Sequence, residues 1–202
     1  MNGINASSLI RFGSISFSDK EIIDIIRAWL AISFAFAMIL SDGFSGLFPA
    51  FILASLTVGI GFIAHEMGHK IAAQHYGAWA EFRAWNLGLL LAVALSFLGF
   101  IIAAPGAVII QGRTIGKSRY GKVAAAGPAM SYITAIAFLG LKVLFPSGML
   151  ANIGSYGFMI NTWLGLFNMI PLFILDGKKI WNWNKAVYFI LVGIGIGLLF
   201  VR

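Results

Sequence analysis

The stretch GFIAHEMGHKIAAQHYG, residues 61–77, concentrates ionisable side chains in a chain that is otherwise very apolar. It holds every histidine of the protein together with one glutamate and one lysine: His65, His69, His75, Glu66 and Lys70. Ionisable groups are costly within a membrane span and are usually functional there. The stretch therefore indicates a membrane helix that carries a functional site.

The composition of the 202 residues is that of a membrane protein. Hydrophobic residues make up 60% and charged residues 10% of the chain, with a mean hydropathy of +0.92, which excludes a soluble domain of this size. The net charge of +7 is explained by cationic loops that flank membrane helices, so no nucleic-acid partner is expected. The lack of cysteine excludes disulfides and thiolate metal sites.

The order of apolar runs predicts an all-α polytopic membrane protein with five to six transmembrane helices and a few short surface strands. Alternation over residues 11–17 predicts a short strand on the membrane surface. Ser18 and Glu21 form a capping box that starts a helix near Asp19. The other predicted elements are helices at about 19–40 and 47–76, strands at 80–85 and 106–111, spans at 123–145, 156–175 and 187–201, and a turn at 146–155.

The spacing of the first two histidines is that of a metal site. His65 and His69 are four residues apart, so on a helix both imidazoles project from one face and can bind one ion. Glu66 lies about 100° around the helix, where it can act on a metal-bound water as general base, as in H-E-x-x-H zinc hydrolases. The alternative is that these are surface residues at a helix end. His75 lies off the metal face and is interpreted as an interfacial side chain.

A catalytic zinc needs one more protein ligand and an open position for water. Besides Glu66, the carboxylates of the chain are Asp19, Glu21, Asp24, Asp42, Glu81 and Asp176. The first five fall on the polar N-terminal segment, in a distant turn or in a surface strand. Asp176 follows a long apolar run, where an unpaired carboxylate is hard to justify. We therefore predict Asp176 as the third ligand of one zinc ion per chain, the alternative being an ordinary acid in a turn.

With these residues in place, the sequence resembles the site-2 protease family of intramembrane zinc metalloproteases, in a minimal prokaryotic form without appended soluble domains. The resemblance rests on HEMGH at 65–69 and on Asn168-x-x-Pro171-x-x-x-x-Asp176-Gly177, which matches the family signature at every fixed position. The stretch AAAGPAMS at 124–131 is similar to the family's G-P-x-x-N, with Ser131 in place of the asparagine.

The resemblance implies roles for the residues of these motifs. His65, His69 and Asp176 bind zinc, and Glu66 activates its water. Asn168 is implied to hydrogen-bond the substrate or to orient ligands. Pro171, which with Gly177 belongs to the same signature, opens its helix so that Asp176 turns inward. Gly127 and Pro128 let their helix pack closely.

The expected function is hydrolysis of peptide bonds in or near the transmembrane segment of single-span membrane proteins, as in regulated intramembrane proteolysis. We expect a single membrane-embedded protease domain over 1–202, with a polar N-terminal strand and the start of an amphipathic helix in 1–27 and a catalytic core in 47–185. The strands at 80–85 and 106–111 either hold an unwound substrate by strand addition or form a small structural sheet. The alternative function is a non-proteolytic metal-binding membrane scaffold or carrier.

Residues 86–110 either cross the membrane or form a hairpin within it that bends near Ser96 to Gly99. His65 and Asp176 must lie at the same depth to share a metal ion, and the hairpin brings them there. It also places twelve of the 14 Lys and Arg residues on the cytoplasmic side, whereas a full crossing divides them seven to seven. The positive-inside rule therefore favours the hairpin, in the plasma membrane, with the N-terminus and the active site on the cytoplasmic side.

Overall fold

The computed structural model describes residues 9–101, 105–111, 116–172 and 174–201. Helices dominate these residues, and the four strands are short. In chain order the elements are β1 Leu9–Phe12, β2 Ile15–Ser18, α1 Asp19–Leu40, α2 Leu47–Ala54, α3 Ile60–His75, β3 Trp79–Ala84, α4 Asn86–Ser96, β4 Gly106–Gln111, α5 Lys117–Leu144, α6 Gly148–Asn168, α7 Asp176–Trp183 and α8 Lys185–Leu199.

Three helices of the described chain are long and apolar enough to cross a membrane. They are Asp19–Leu40, Phe44–His75 and Lys117–Leu144, the second of which joins α2 and α3 into one rod. With 21 residues, α6 also has the length to cross about 30 Å. Large hydrophobic side chains lie on the outside, such as Phe44, which is 94% exposed, as expected for a lipid-facing surface. These features confirm the predicted class, a helical membrane protein with a few short strands.

The N-terminal segment forms a hairpin, where the alternation of residues 11–17 predicted a single strand. β1 and β2 pair antiparallel, and the turn between them contains Gly13 with φ of 60°, a conformation that glycine adopts readily. Half of the predicted capping box is present, since Ser18 Oγ accepts from the Glu21 N–H at 3.2 Å. The Glu21 carboxylate does not return to the cap and has other partners, described below.

One turn of π-helix, Ser55–Gly59, lies between α2 and α3. Such turns insert an extra residue into a helix and occur often near functional sites. Trp29 on α1 donates its indole N–H to the carbonyl oxygen of Ser55 at 3.2 Å, which satisfies a backbone group within the turn. The helix predicted at 47–76 is thus confirmed, and its π-turn had no signal in the sequence.

Residues 86–111 return to the point where they begin, so the hairpin is confirmed and a one-way crossing is wrong. α4 has only 11 residues, and Gly99, with φ of 81°, lies in the turn that follows it. The chain then enters β4, which pairs antiparallel with β3, so that Ala84 lies opposite Gly106. The Trp85 N–H also donates to the carbonyl oxygen of Pro105 at 2.9 Å.

The predicted turn at 146–155 and the span at 156–175 are wrong in position. α6 begins at Gly148 and ends at Asn168, since Pro171 has no N–H to continue the helix and disfavours helical geometry before it. A short non-helical connection follows, and α7 begins at Asp176. The last predicted span, 187–201, corresponds to α8, an apolar helix of 15 residues that is shorter than a full crossing requires. It starts slightly earlier than predicted because Asn184 Oδ1 accepts from the N–H groups of Ala186 and Val187.

Small residues let the central helices α3, α5 and α6 approach closely, as is common in membrane proteins. A Cβ at Gly68 of α3 would lie 2.5 Å from the carbonyl oxygen of Ala126 in α5. A Cβ at Gly165 of α6 would overlap the Tyr132 ring of α5 in the same way. This close packing fixes the distance between α3 and α5, the two helices that surround the histidines.

Candidate active site

The predicted metal ligands meet at one point between α3 and α7. His65 and His69 project from the same face of α3, and their Nε2 atoms are 3.2 Å apart. Asp176, the first residue of α7, directs Oδ2 to within 3.3 Å of His65 Nε2 and 2.9 Å of His69 Nε2. All three side chains are buried. The structure thus brings together two residues and a third that is 107 or more positions away along the chain.

The spacing and the chemistry of the three groups fit a zinc ion. Tetrahedral zinc with bonds of about 2.0–2.1 Å separates neighbouring ligand atoms by roughly 3.3 Å, close to the three distances observed. His69 Nδ1 lies 2.8 Å from the carbonyl oxygen of Val123. Because a carbonyl only accepts, Nδ1 carries the proton and Nε2 presents its lone pair. Two imidazoles and a carboxylate are a donor set that zinc prefers, and they leave room for one further ligand.

Ser131 and Val123 of α5 contact the imidazoles from the side away from Asp176's partner atoms, through their Nδ1 atoms. Ser131 Oγ lies 2.9 Å from His65 Nδ1, so the serine supplies a polar contact at the position where the resemblance expects asparagine. Val123 acts through its backbone carbonyl, which no side-chain motif reveals. The sequence carried a signal for Ser131, because this polar residue stands where the family motif has asparagine.

Lys179 holds the second oxygen of Asp176. Its Nζ lies 3.0 Å from Asp176 Oδ1, on the oxygen that does not face the histidines. Burial lowers the pKa of Lys179, whereas the Asp176 carboxylate, with smaller contributions from Tyr120 and Glu66, raises it, and the net shift is upward. The lysine therefore stays cationic and occupies Oδ1, which leaves Oδ2 as the oxygen directed at the two imidazoles. Its spacing of three residues from Asp176 in a helix was the available signal.

Glu66, which follows His65 in the chain, has one carboxylate oxygen that forms no hydrogen bond with any described residue. Among the described residues, Glu66 Oε2 is buried and makes no hydrogen bond. Since a buried carboxylate oxygen without a partner is destabilising, this one is available to a water molecule or a substrate. Glu66 also lines the cavity described next.

A cavity of about 830 Å³ opens onto the three ligands and Glu66. One of its walls is β4, through Gly106, Val108 and Ile110. The rest of the lining is largely apolar and aromatic and includes Trp163 and Phe167 of α6. A cavity of this size with a mostly apolar lining and a few polar groups is typical of a ligand- or substrate-binding site.

The structure places the supporting residues in two groups. Asn168 lines the cavity and donates its Nδ2 to the carbonyl oxygen of Leu164 at 2.9 Å. Gly127 faces both imidazoles, since a Cβ there would overlap their rings. The others lie behind the site: Pro128 is buried in α5, Pro171 lies in the connection between α6 and α7, and Gly177 packs against the backbone of Met169. His75 lies exposed at the end of α3.

A curated protein from Methanocaldococcus jannaschii, named "putative zinc metalloprotease", is similar to this chain. The two are 42% identical over 174 residues, which cover 85% of this chain and 88% of the other. No protein-family model matches the chain, and no solved structure matches it. The similarity therefore extends over most of both proteins.

Proposed function

Since the chain belongs to the same family as the M. jannaschii protein named "putative zinc metalloprotease", we propose that it is an intramembrane zinc metalloprotease of the site-2 protease type. The observation that carries the proposal is the triangle of His65, His69 and Asp176 with the unpartnered oxygen of Glu66 beside it. The apolar helices supply the second argument, because a protease built within them would act on membrane-embedded chains.

The residues of the site divide the chemistry between them. Zinc, when bound, supplies a water of lowered pKa and polarises the scissile carbonyl. Glu66 Oε2 accepts the proton of the attacking water and returns it to the leaving amine. Val123 and Ser131 hold the two imidazoles in the orientation that keeps both lone pairs on one point.

The substrate that fits this site is a single transmembrane segment unwound into a strand. Because a helix hides its backbone groups, its peptide bonds become accessible only after local unwinding. β4 lines the cavity and offers an edge for strand addition, which satisfies the unwound backbone while the cavity accepts the apolar side chains. Asn168, which also lines the cavity, is the residue that we expect to hydrogen-bond the substrate.

The membrane setting completes the proposal. We place the chain in the plasma membrane, with its N-terminus and its active site toward the cytoplasm, on the basis of its basic residues. The return of residues 86–111 to β3 supports this orientation, since it removes the crossing that would divide those residues evenly. Candidate substrates are anchored regulators and remnants of signal peptides.

The test compares purified wild type with Glu66→Gln in detergent, on a pool of tagged single-span substrates. Glu66→Gln is expected to keep one zinc ion per chain and to lose cleavage by about 10²–10⁴-fold, the usual contribution of a general base. His75→Gln, on the same helix but outside the cavity, is the control and should cleave as wild type. If wild type and variant both bind zinc and neither cleaves any substrate, the chain is a metal-binding scaffold or carrier instead.

A further inference from the structure

A second cluster of buried charges lies on the other side of α3 and takes no part in the proposed chemistry. Lys70 directly follows the metal ligand His69, and its Nζ lies 2.8 Å from Glu21 Oε2 of α1. Neither side chain has any exposed surface. The ammonium also lies 4.5 Å from the centre of the Phe17 ring. A charge pair so deeply buried is not needed for stability alone, since apolar residues would often serve as well.

The remaining bonds of this pair go to the backbone of β3. Lys70 Nζ donates to the carbonyl oxygen of Ala80 at 2.6 Å, and Gln74 Nε2 donates to the same oxygen at 3.2 Å. The Phe82 N–H donates to Glu21 Oε1 at 2.9 Å. Two alternate residues of β3 are therefore held by side chains of α1 and α3 rather than by a neighbouring strand.

A third contact continues the pattern along the strand. The Ala84 N–H donates to Asp24 Oδ2 of α1 at 3.4 Å. Residues 80, 82 and 84 thus direct their backbone groups away from β4, as alternation in a strand requires. Three backbone groups on the outer edge of β3, one on each of these residues, are therefore bonded by side chains of α1 and α3.

The register of the sheet then determines which backbone groups of β4 point away from β3 and are available to pair with another strand. Ala80, Phe82 and Ala84 lie opposite Ile110, Val108 and Gly106. Opposite residues of an antiparallel pair share their orientation, either toward each other or away. Gly106, Val108 and Ile110 therefore direct their backbone groups outward, and all three line the cavity. Among the described residues no further strand pairs with this edge.

We propose that Glu21 and Lys70 are positioning residues that lock the β3–β4 sheet to the metal-binding helix and thereby set which bond of a substrate strand meets the metal site. The inference rests on the proposed function. Lys70 adjoins His69, so the pair links a ligand of the site to the sheet through one residue of α3. A strand added to Gly106, Val108 and Ile110 is then held at a fixed distance along the cavity from His69.

The experiment has two readouts, one of which does not depend on proteolysis. Hydrogen exchange at the Phe82 amide is compared between wild type, Glu21→Gln and the control Lys20→Gln, which changes an exposed charge one residue away. Mass spectrometry of the cleavage products then reports the position of the cut in the same three proteins. Zinc content is measured throughout, so that a damaged metal site is recognised.

We expect exchange at Phe82 to be about tenfold faster in Glu21→Gln, because its charge-assisted hydrogen bond is weakened. Cleavage is expected to spread to bonds two residues away from the wild-type cut, since strand pairings that keep the same face differ by steps of two. Lys20→Gln should match wild type in both readouts, with zinc unchanged in all three.

A double variant, Glu21→Leu with Lys70→Met, separates positioning from stability. Because both charges are replaced, no charge is left buried without its partner, and the fold is expected to be stable. The Phe82 N–H still lacks its acceptor, so cleavage is expected to remain spread over several bonds. A single wild-type cut in the double variant would overturn the proposal, as would unchanged Phe82 exchange in Glu21→Gln. If wild type cleaves nothing, the proposed function fails, and the exchange at Phe82 alone decides whether the pair holds the sheet.

Discussion

His69 and Lys70 are neighbours on α3, yet they belong to two buried clusters of opposite character. The cluster of His69 faces a cavity of about 830 Å³ and contains a buried carboxylate oxygen, on Glu66, without a partner. The cluster of Lys70 is sealed, and its charges are matched by one another and by the backbone of β3. An unsatisfied group beside a cavity is suited to reaction, whereas a fully satisfied one is suited to holding structure.

This contrast predicts that the two clusters fail in different ways. Removing a predicted metal ligand of the open cluster should abolish metal binding and leave the fold intact, because the cavity can admit water in its place. Removing a member of the sealed cluster should leave a bare charge where water cannot enter, so that stability falls first. Substitutions in each cluster can therefore break or sharpen the comparison.

The largest effect is expected for Asp176→Ala. The variant loses one of three metal ligands, so zinc content should fall to background and cleavage by about 10⁴-fold or more, as when a catalytic group is removed from a constellation that acts as a unit. Its thermal midpoint without metal should stay near that of metal-free wild type, since Lys179 is partly exposed and can be solvated. Asp42→Ala, in an exposed turn, is the matched control. Retained stoichiometric zinc in Asp176→Ala would remove Asp176 from the ligand set.

The next effect is expected for Lys70→Met, which leaves the Glu21 carboxylate buried without its cation. Breaking a buried pair in this way costs about 3–5 kcal/mol of stability, measured by unfolding in denaturant. Zinc bound per folded molecule should remain one, because His69 is unchanged. Lys20→Met, at an exposed position on α1, is the control and should have little effect. If Lys70→Met were as stable as wild type, the description of this cluster as sealed would be wrong.

A smaller effect is expected for Ser131→Ala. The variant removes the hydroxyl that lies 2.9 Å from His65 Nδ1 and that accepts the Nδ1 proton when Nε2 binds a metal ion. The loss of such an orienting partner lowers metal affinity by about 10–100-fold. Competition with a chelating dye measures the change. Thr134→Ala is a matched control on the same helix, since its hydroxyl only donates to Met130 in its own helix. Equal affinity in Ser131→Ala and Thr134→Ala would show that the serine does not orient His65.

Sequence predicted the parts of this molecule that are fixed by local spacing. His65 and His69 are four residues apart, so helix geometry alone predicts that they share one face of α3. The bounds of β4 are also those expected from its sequence. The return of residues 86–111 could be predicted because the charge on the loops records membrane topology. Asp176 could be placed because so few other carboxylates compete for the role.

The parts that sequence missed depend on contacts between distant residues. Glu21 was assigned to a polar N-terminal segment, but its partner Lys70 lies 49 positions away and nothing local links the two. The end of α6 was placed too late because apolar residues continue past Asn168, and only the backbone shows that Pro171 has already stopped the helix. The carbonyl of Val123 has no side-chain signature at all. Function-bearing side chains were thus more predictable than the backbone groups that orient them.

The smallest effect is expected for Arg27→Gln, which breaks the ion pair between Arg27 and Asp24 on α1. This pair and the Lys70–Glu21 pair both involve a carboxylate of the same helix, but the Arg27 side chain is 50% exposed and its closest distance to Asp24 is 3.5 Å. Asp24 is only 7% exposed, but water reaches the half-exposed Arg27 and screens the pair, so its loss should change stability by less than about 1 kcal/mol. Unfolding beside Lys70→Met measures the difference. Equal losses in the two variants would mean that burial does not decide what a charge pair contributes here, and the contrast between the open and the sealed cluster would lose its physical basis.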